Sequence, residues 1–225
     1  MLVYERVSQP LIGTSLMRWT TPRVIAAPGF IAPALPTVAR NVPEGALWVH
    51  EIKHDGYRLL VRKRGDQVRV YTRRGADWTH RFLRIVQAAG RLKAGSFYLD
   101  GEGVVCGKDG VAVFDKLHGK ANDDAVFLYA FDILELDGID LRPTPLEYRK
   151  KRLRSLLGKR KSGIVFNEHI EGDGADIFKH ACKLGLEGIV SKRRDLAYRS
   201  GRVRSWLKIK NPKAPAALRI EQGTF

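Results

Sequence analysis

Residues 51–58 read Glu-Ile-Lys-His-Asp-Gly-Tyr-Arg and hold side chains suited to covalent chemistry. They lie between two runs typical of strands, so Lys53 is predicted at a strand end beside the turn at Gly56, with a fixed base and an accessible amine. A lysine amine has a reference pKa of about 10.4, so a nucleophilic lysine needs neighbouring cations that favour its neutral form. A solvated lysine in a β-turn is the structural alternative for this segment taken alone.

Four further segments, residues 99–102, 131–132, 187–192 and 206–210, place charged side chains within apolar runs. In the first, an unpaired carboxylate inside a buried strand would be costly, so a cation is expected to face it. In the last, strict alternation puts Lys208 and Lys210 on one face of a strand, where two ammonium groups repel unless an anion lies between them. Each segment taken singly also fits ordinary core packing with surface ion pairs.

The elements that must position these residues are mostly short. β-rich runs predict strands at residues 47–52, 57–62, 67–72, 97–106, 111–114, 127–134, 164–166, 189–192 and 203–209, and helical spacing predicts helices at 82–92, 146–157 and 176–184. Strands and helices mixed without regular alternation favour an α+β fold with antiparallel sheets over a doubly wound fold. Residues 1–46 are rich in Pro, Gly and Ala and are predicted to form an irregular arm packed on the domain.

The composition restricts the class of protein. The 225 residues include 40 Lys and Arg against 24 Asp and Glu, a formal net charge of +16, which favours polyanionic partners. With 44% hydrophobic and 28% charged residues, the chain is globular rather than disordered or collagen-like. No membrane span or secretion signal is recognisable, so we expect no membrane partner and a cytoplasmic location. Cys106 and Cys182 stand far apart, which argues against a disulfide framework or a cysteine zinc site.

Taken in order, the five segments resemble the nucleotidyltransferase motifs of the ATP-dependent DNA ligases, a family that also includes RNA ligases and mRNA capping enzymes. The pattern Lys-x-Asp-Gly-x-Arg at residues 53–58 is followed by its later partners. The resemblance runs from about residue 30 to residue 212 and is strongest to the bacterial end-joining ligases. It implies an α+β, ATP-grasp-like adenylation domain at residues 47–212, with antiparallel sheets flanked by helices, the nucleotide between the sheets, and a tail at residues 213–225.

The resemblance also implies roles for individual residues. Lys53 would attack the α-phosphate of ATP and hold AMP as a phosphoramidate, with Lys208 and Lys210 at that phosphate. Arg73 would meet the 5′-phosphate at a DNA nick. The other candidates would contact the rest of the nucleotide or a divalent metal, Mg²⁺ or Mn²⁺: Glu51 at the adenine amino group, Phe131 stacked on the purine, Arg58 and Glu102 at the ribose, Lys192 in the nucleotide site, and Glu187 with Glu102 at the metal.

The activity that the resemblance implies is lysine-AMP formation from ATP, AMP transfer to a 5′-phosphate of nicked double-stranded DNA, and nick sealing in DNA repair, at the bacterial nucleoid. RNA ligation, capping, or DNA binding without turnover are alternatives that the residues leave open. Ligases of this kind usually carry an OB-fold after the last motif. Residues 213–225 are too short for one, so a separate chain with an OB-fold, or another repair protein, is a candidate partner.

Further basic side chains are candidates for phosphate contacts, which are independent of base sequence and depend on salt. They are Arg18, Arg23, Arg62, Lys63, Arg64, Arg74, Arg193, Arg194, Arg199, Arg202 and Arg204, together with Arg73. A cluster at residues 149–161 is predicted to form a helix with a basic outer face and a basic loop, and a solvated face and a DNA contact are both compatible with it.

Overall fold

Two β-sheets pack against each other in this computed structural model, which describes residues 29–108, 110–117, 120–159 and 162–215. The six-stranded sheet is built, in spatial order, from β4 (Gln67–Thr72), β3 (Tyr57–Arg64), β5 (Ser96–Val104), β6 (Phe127–Leu136) and β7 (Ile139–Asp140), with β8 (Ile164–Phe166) beside β6. The five-stranded sheet has the order β1 (Ala34–Val38), β11 (Gly201–Lys210), β10 (Gly188–Arg193), β2 (Trp48–Ile52) and β9 (His169–Ile170). The helices in these ranges are α1 (Leu83–Gly90), α2 (Leu146–Leu157) and α3 (Gly174–Lys183).

Alternation of side chains along the strands produces the layers, because successive residues of a strand face opposite sides of the sheet. In β3, Leu59 belongs to an apolar cluster that contains Ile85 of α1 and Leu153 of α2. The next residue, Leu60, belongs to a second cluster with Trp206 of β11, which lies between the sheets. On the far side, α3 packs on the five-stranded sheet through a third cluster, formed by Ala181, Ile189 and Ile209.

Most predicted elements are confirmed, and three have the predicted bounds, namely β4, α2 and β8. The predicted strand at residues 111–114 is wrong. Val113 donates one backbone hydrogen bond to Val105 and Ala112 forms an isolated bridge with Cys106, but the pairing stops where the one-turn helix Phe114–Leu117 begins. Among the residues that the structure describes, no helix is both long enough and apolar enough to span a membrane.

The N-terminal segment differs from its prediction where the structure describes it. Instead of an irregular arm, residues 34–38 form β1, which pairs in parallel with β11 at the edge of the five-stranded sheet. Pro36 within this strand weakened the strand pattern in the sequence, yet proline is compatible with an edge strand because no ladder hydrogen bond is required of it. A second parallel pair joins β6 and β8, so the α+β fold has mixed sheets. Arg18 and Arg23 lie outside the described residues.

The predicted basic face of residues 149–161 is wrong for its first two cations. Arg149 forms an ion pair of 2.7 Å with Asp132, and both side chains are completely buried. Lys150 is also buried, with 2% exposure. Other cations of α2, such as Arg152, are exposed, so only part of the cluster is on the surface.

Lys63 was expected among the DNA contacts but is buried in the structure. Its ammonium donates to the carbonyl oxygens of Gly90 and Leu92, at 3.1 and 2.8 Å. These carbonyls lie at the end of α1, where the last turn of a helix leaves acceptors without intrahelical donors. Lys63 therefore caps a helix rather than offering its charge to a ligand.

We expect Arg149→Met to lower the free energy of unfolding by about 3–5 kcal/mol, because it leaves the carboxylate of Asp132 buried without its cation. Urea denaturation measures this loss. Arg152→Met, on the exposed part of the same helix, is the matched control and should change the free energy of unfolding by less than about 0.5 kcal/mol. Equal losses in the two variants would show that the buried ion pair does not stabilise the fold.

Candidate active site

A cleft between the sheets brings together most of the residues singled out from the sequence. Its lining contains six cations and two carboxylates: Lys53, Arg58, Arg73, Lys192, Arg202 and Lys208, with Glu51 and Glu102. Phe131 and Trp206 add two aromatic rings to the lining. A positive surplus beside aromatic rings suits a ligand that combines negative charge with a planar ring.

Lys53 directly follows β2, and its backbone N–H donates to the carbonyl of Gly188 at 3.0 Å, which attaches it to β10. The Lys53 side chain is 22% exposed, and its ammonium forms an ion pair with Glu187. Gly188 has a φ of +138° and lies against a carbonyl of β11, so no larger residue fits there. At Gly56, a Cβ would collide with the carbonyl of Gly103. Both glycines let backbones approach closely around the lysine.

Glu51 lies at the buried end of the cleft, with 2% exposure. Its Oε1 accepts a hydrogen bond from Lys150 at 2.6 Å, and its Oε2 accepts from Lys192 at 2.7 Å and from Asn167 at 3.1 Å. Burial alone would raise the pKa of Glu51, but the two lysines outweigh burial and hold this pKa below its usual value. The carboxylate is therefore ionised. Asn167 in turn contacts the His54 ring at 3.0 Å.

Arg58 and Asp100 form a bidentate ion pair, with distances of 2.5 and 2.8 Å. Tyr198 donates its hydroxyl to Asp100 at 2.6 Å and accepts the backbone N–H of Ala34 at 2.8 Å. Arg58 also donates to the Ala34 carbonyl at 3.1 Å. Burial would lower the pKa of Arg58, but Asp100 outweighs burial and raises it. This pair supplies the cation that the sequence predicted opposite the carboxylates of β5.

Phe131 lies against two cations of the cleft. The guanidinium carbon of Arg58 is 4.5 Å from its ring centroid, and the Lys192 ammonium is 4.2 Å from it. Trp206 meets Phe131 edge to face at 6.0 Å, and Lys192 is also 4.1 Å from a Trp206 ring. Burial lowers the pKa of Lys192 to about 8. The aromatic rings and the two cations thus form one continuous wall.

Glu102 of β5 lies directly opposite Arg58 of β3 in the antiparallel pairing of these strands. Burial raises the pKa of Glu102 to about 7, although Arg58 and Lys53 pull it down and Glu187 raises it further. Glu102 and Glu187 are therefore close enough to repel each other, and the charge of Lys53 acts on Glu102 as well. At neutral pH, Glu102 can hold or release a proton.

Lys208 is among the described residues that line the main cleft, whereas Lys210, two residues further along β11, is not. Burial lowers the pKa of Lys208, and Lys210 and Lys53 lower it further. Leu207 and Ile209 pack on the opposite side of the strand with α3, as the alternation predicts. The two lysines therefore share the face that looks toward Lys53.

Arg73 and Arg74 occupy the turn that follows β4. Arg73 lines both the main cleft and an adjoining groove, which also contains Arg74, Tyr57 and Trp78. The groove shares Arg58 and Glu102 with the main cleft, so the two are continuous. Arg73 stands at their junction.

The carboxylates near Lys53 fit a divalent metal held partly by a substrate. Glu187 lies outside the main cleft and, with Lys53, lines a neighbouring one. In the described parts of the chain, no group of three or more potential ligands could hold a metal ion by itself. Mg²⁺ is often bound through one or two carboxylates, with waters and phosphate oxygens completing the shell. Glu102 and Glu187 match that requirement.

Sequence reasoning missed three of the residues that organise the cleft: Lys150, Asn167 and Tyr198. A signal for Lys150 was present. The buried positions of α2 are Leu146, Arg149, Lys150, Leu153 and Leu157, so the two cations lie on the apolar stripe of the helix. Cations at such positions must find buried partners. Asn167 and Tyr198 lie outside regular elements, and no periodicity marks them.

The fold is that of a nucleotidyltransferase domain of the ligase type, as comparisons with known proteins show. The sequence profile described as "ATP dependent DNA ligase domain" matches residues 31–210. The chain belongs to this family. Within it, the chain is similar to the ligase domain of LigD-type end-joining proteins.

Two relatives illustrate the similarity. The "Multifunctional non-homologous end joining protein LigD" of Pseudomonas aeruginosa is 38% identical over 187 residues, covering 81% of this chain and 22% of that protein. A DNA ligase of Natronomonas pharaonis is 36% identical over 172 residues, covering 71% of this chain and 31% of that protein. The chain thus spans less than a third of these curated relatives.

Solved structures agree with the fold. Mycobacterial DNA ligase D complexed with ATP and MES aligns with a TM-score of 0.71 and 35% identity, covering 80% of this chain and 60% of that one. The Chlorella virus DNA ligase-adenylate aligns with a TM-score of 0.59 and 16% identity, covering 80% of this chain and 69% of that one, and supports the fold alone.

Glu102→Gln tests the charge state of the cleft. Because the pKa of Glu102 is raised to about 7, the folded protein keeps a proton that the unfolded chain loses above pH 4.5, the ordinary value. The carboxyl therefore makes the wild type less stable as pH rises between these values, and glutamine removes this dependence. From pH 4.5 to about pH 8, the variant should gain on the order of 1–3 kcal/mol in free energy of unfolding relative to wild type.

Urea denaturation at both pH values measures this difference, and the comparison at pH 4.5 is the internal control for the substitution itself. A difference between the two proteins that stays constant with pH would contradict the raised pKa of Glu102.

Proposed function

We propose that Lys53 takes AMP from ATP as a covalent adduct and that the chain then passes AMP to a DNA 5′-phosphate for nick sealing. The observation that carries the proposal is the accessible amine of Lys53 at a cleft that joins aromatic rings with six cations. The solved mycobacterial relative is a complex with ATP, which supports ATP as the nucleotide.

In the proposed first reaction, Lys53 Nζ attacks the α-phosphorus of ATP. A nitrogen–phosphorus bond forms as the bond to the leaving pyrophosphate breaks, and the amine gives up a proton. Burial lowers the pKa of Lys208, and the charges of Lys210 and Lys53 lower it further, so Lys208 and Lys53 interact electrostatically. Lys208, with Lys210 beside it, would stabilise the charge that develops on the phosphate oxygens.

The other lining residues would bind and orient the nucleotide. The purine would stack on Phe131, where Arg58 and Lys192 already lie against the ring. Glu51 would accept a hydrogen bond from the adenine amino group at the closed end of the cleft. Arg58 and Glu102 would contact the ribose. Holding the α-phosphate near the amine in this way lowers the barrier of the reaction, because the reacting atoms are already oriented.

A divalent metal, Mg²⁺ or Mn²⁺, would be held by Glu187 and Glu102 together with phosphate oxygens and water. When bound, it supplies positive charge that neutralises the phosphates. Glu187 forms an ion pair with Lys53 in this structure, so in the loaded site Glu187 would turn from the ammonium to the metal.

DNA would be the acceptor of the adenylate. The formal net charge of +16 favours a polyanion, and Arg73 stands where the nucleotide cleft meets the neighbouring groove, which suits a 5′-phosphate. A separate OB-fold chain or repair protein would help to hold the nicked duplex. The LigD relatives are bacterial end-joining proteins, which supports a cytoplasmic location at the nucleoid.

Lys53→Ala is expected to abolish the covalent adenylate that wild type forms with α-labelled ATP and Mg²⁺, because the variant has no amine to attack. The adduct is measured as a labelled band and as an intact-mass increase of one adenylyl group. Lys179→Ala, at an exposed position of α3, should label like wild type. Unchanged labelling of Lys53→Ala would reject the site. A wild type that is never labelled would be a DNA-binding protein without turnover, and labelling by GTP in preference would indicate a capping-type enzyme.

Arg73→Ala is expected to slow the sealing of a nick that already carries a 5′-adenylate by about 10- to 100-fold, the loss expected for one hydrogen bond to a charged group. Using this substrate bypasses the reaction with ATP, and single-turnover sealing is the measurement. Arg152→Ala is the control at an exposed arginine. If both variants seal at the same rate, Arg73 does not meet the 5′-phosphate. A strong preference for nicked RNA would favour an RNA ligase.

A further inference from the structure

The hydrogen bonds of Glu51 are distributed unequally between its two oxygens. A carboxylate oxygen accepts about two hydrogen bonds. Oε2 receives two, from Lys192 and Asn167, whereas the described residues supply Oε1 with one, from Lys150. Glu51 lines the cleft, and Oε1 is the oxygen that keeps an acceptor position unused by the described residues.

Lys150 is held independently of any ligand. Its side chain is 2% exposed, and it is not part of the cleft lining. Its ammonium donates to Glu51 at 2.6 Å and to the backbone carbonyl of Asn167 at 2.9 Å, and it lies 4.7 Å from the Phe166 ring centroid. These contacts, one with β2 and two with β8 and the residue that follows it, thus fix the direction from which Oε1 is bonded.

We propose that Lys150 is a positioning residue that holds Glu51 Oε1 as the acceptor for the exocyclic amino group of adenine, and that it thereby sets a preference for ATP over GTP. The inference deepens the proposed function and rests on it. Guanine carries a carbonyl oxygen where adenine carries this amino group, so a fixed carboxylate oxygen would face another acceptor. Leaving two acceptors against each other in a buried site disfavours the wrong base.

Lys192 cannot take over this role. It bonds Oε2, lines the cleft, and lies against Phe131 and Trp206, so it would contact the nucleotide itself. Lys150 lies outside the cleft lining and would act on the nucleotide only through Glu51. Without Lys150, the carboxylate would keep its bonds at one oxygen and could turn about its last bond, so the position of Oε1 would no longer be defined.

The buried charges of Glu51, Lys150 and Lys192 tolerate loss of Lys150 better than loss of the carboxylate. With Lys150 present, two ammonium groups surround one carboxylate, and Lys150→Met leaves one of each. No charge is left without a partner, and the methionine retains the apolar length of the side chain. Lys151→Met, the next residue of α2 and exposed, is a control with the same substitution and the same change in net charge.

The experiment compares adenylate formation from ATP and GTP by wild type, Lys150→Met and Lys151→Met at saturating Mg²⁺. In Lys150→Met we expect the KM for ATP to rise about tenfold and the preference for ATP over GTP, as the ratio of kcat/KM values, to fall about tenfold. We expect kcat to stay within about twofold, because the reacting atoms are not touched. A merely structural role would not change the preference between the two bases.

A second variant series makes the test specific to Glu51. Because Lys150 acts through this carboxylate, Lys150→Met should cause no further loss of preference in a Glu51→Gln background. Lys150→Gln keeps a donor without the charge and should lose part of the preference, which decides the matter if the methionine variant does not fold. Wild-type preference in both Lys150 variants, or an equal loss in the Glu51→Gln background, would overturn the inference. Absence of any adenylate in wild type would instead overturn the proposed function.

Discussion

The ion pair between Arg58 and Asp100 connects the two sheets beneath the cleft, and the geometry of the site depends on it. Both residues belong to the six-stranded sheet, yet Arg58 also donates to the carbonyl of Ala34 in β1 of the other sheet. Tyr198 closes the network by bonding both Asp100 and Ala34. Asp100 is completely buried, so each of these donors offsets a desolvation cost that the carboxylate could not otherwise bear. The network thus attaches β1 to the six-stranded sheet beside the cleft that Arg58 lines.

Around this network, the cleft concentrates more positive than negative charge. Burial lowers the pKa values of Lys192 and Lys208, with like charges of neighbouring lysines adding to the effect, and it raises the pKa of Glu102. A group whose charged form is disfavoured gains when a counter-charge arrives, so an anionic ligand relieves the repulsion among the lysines. The same arrangement therefore favours an anionic ligand.

Several sequence expectations failed because local patterns omit the partner across the fold. Lys63 and Lys150 belong to strongly basic segments and were interpreted as phosphate contacts or a solvated face. In the structure, the first bonds the carbonyls at the end of α1 and the second bonds Glu51. Residues 34–38 form a strand despite Pro36 because β11 offers an edge to pair with. Residues 111–114 have strand propensity, but their pairing with residues 105–107 stops where the one-turn helix Phe114–Leu117 begins.

The amino-acid sequence alone determined the class of fold, most of the strands and helices, and many of the residues at the cleft, because alternation, helical spacing and the order of charged segments are local properties of the chain. It also indicated that the carboxylates of β5 need a cation. Only the tertiary structure decided that this cation is Arg58, that Lys208 lines the cleft, and that Lys150 reaches Glu51 from a helix 99 residues away along the chain. Pairing of buried charges depends on which elements pack together, and no local sequence pattern specifies which distant elements come into contact.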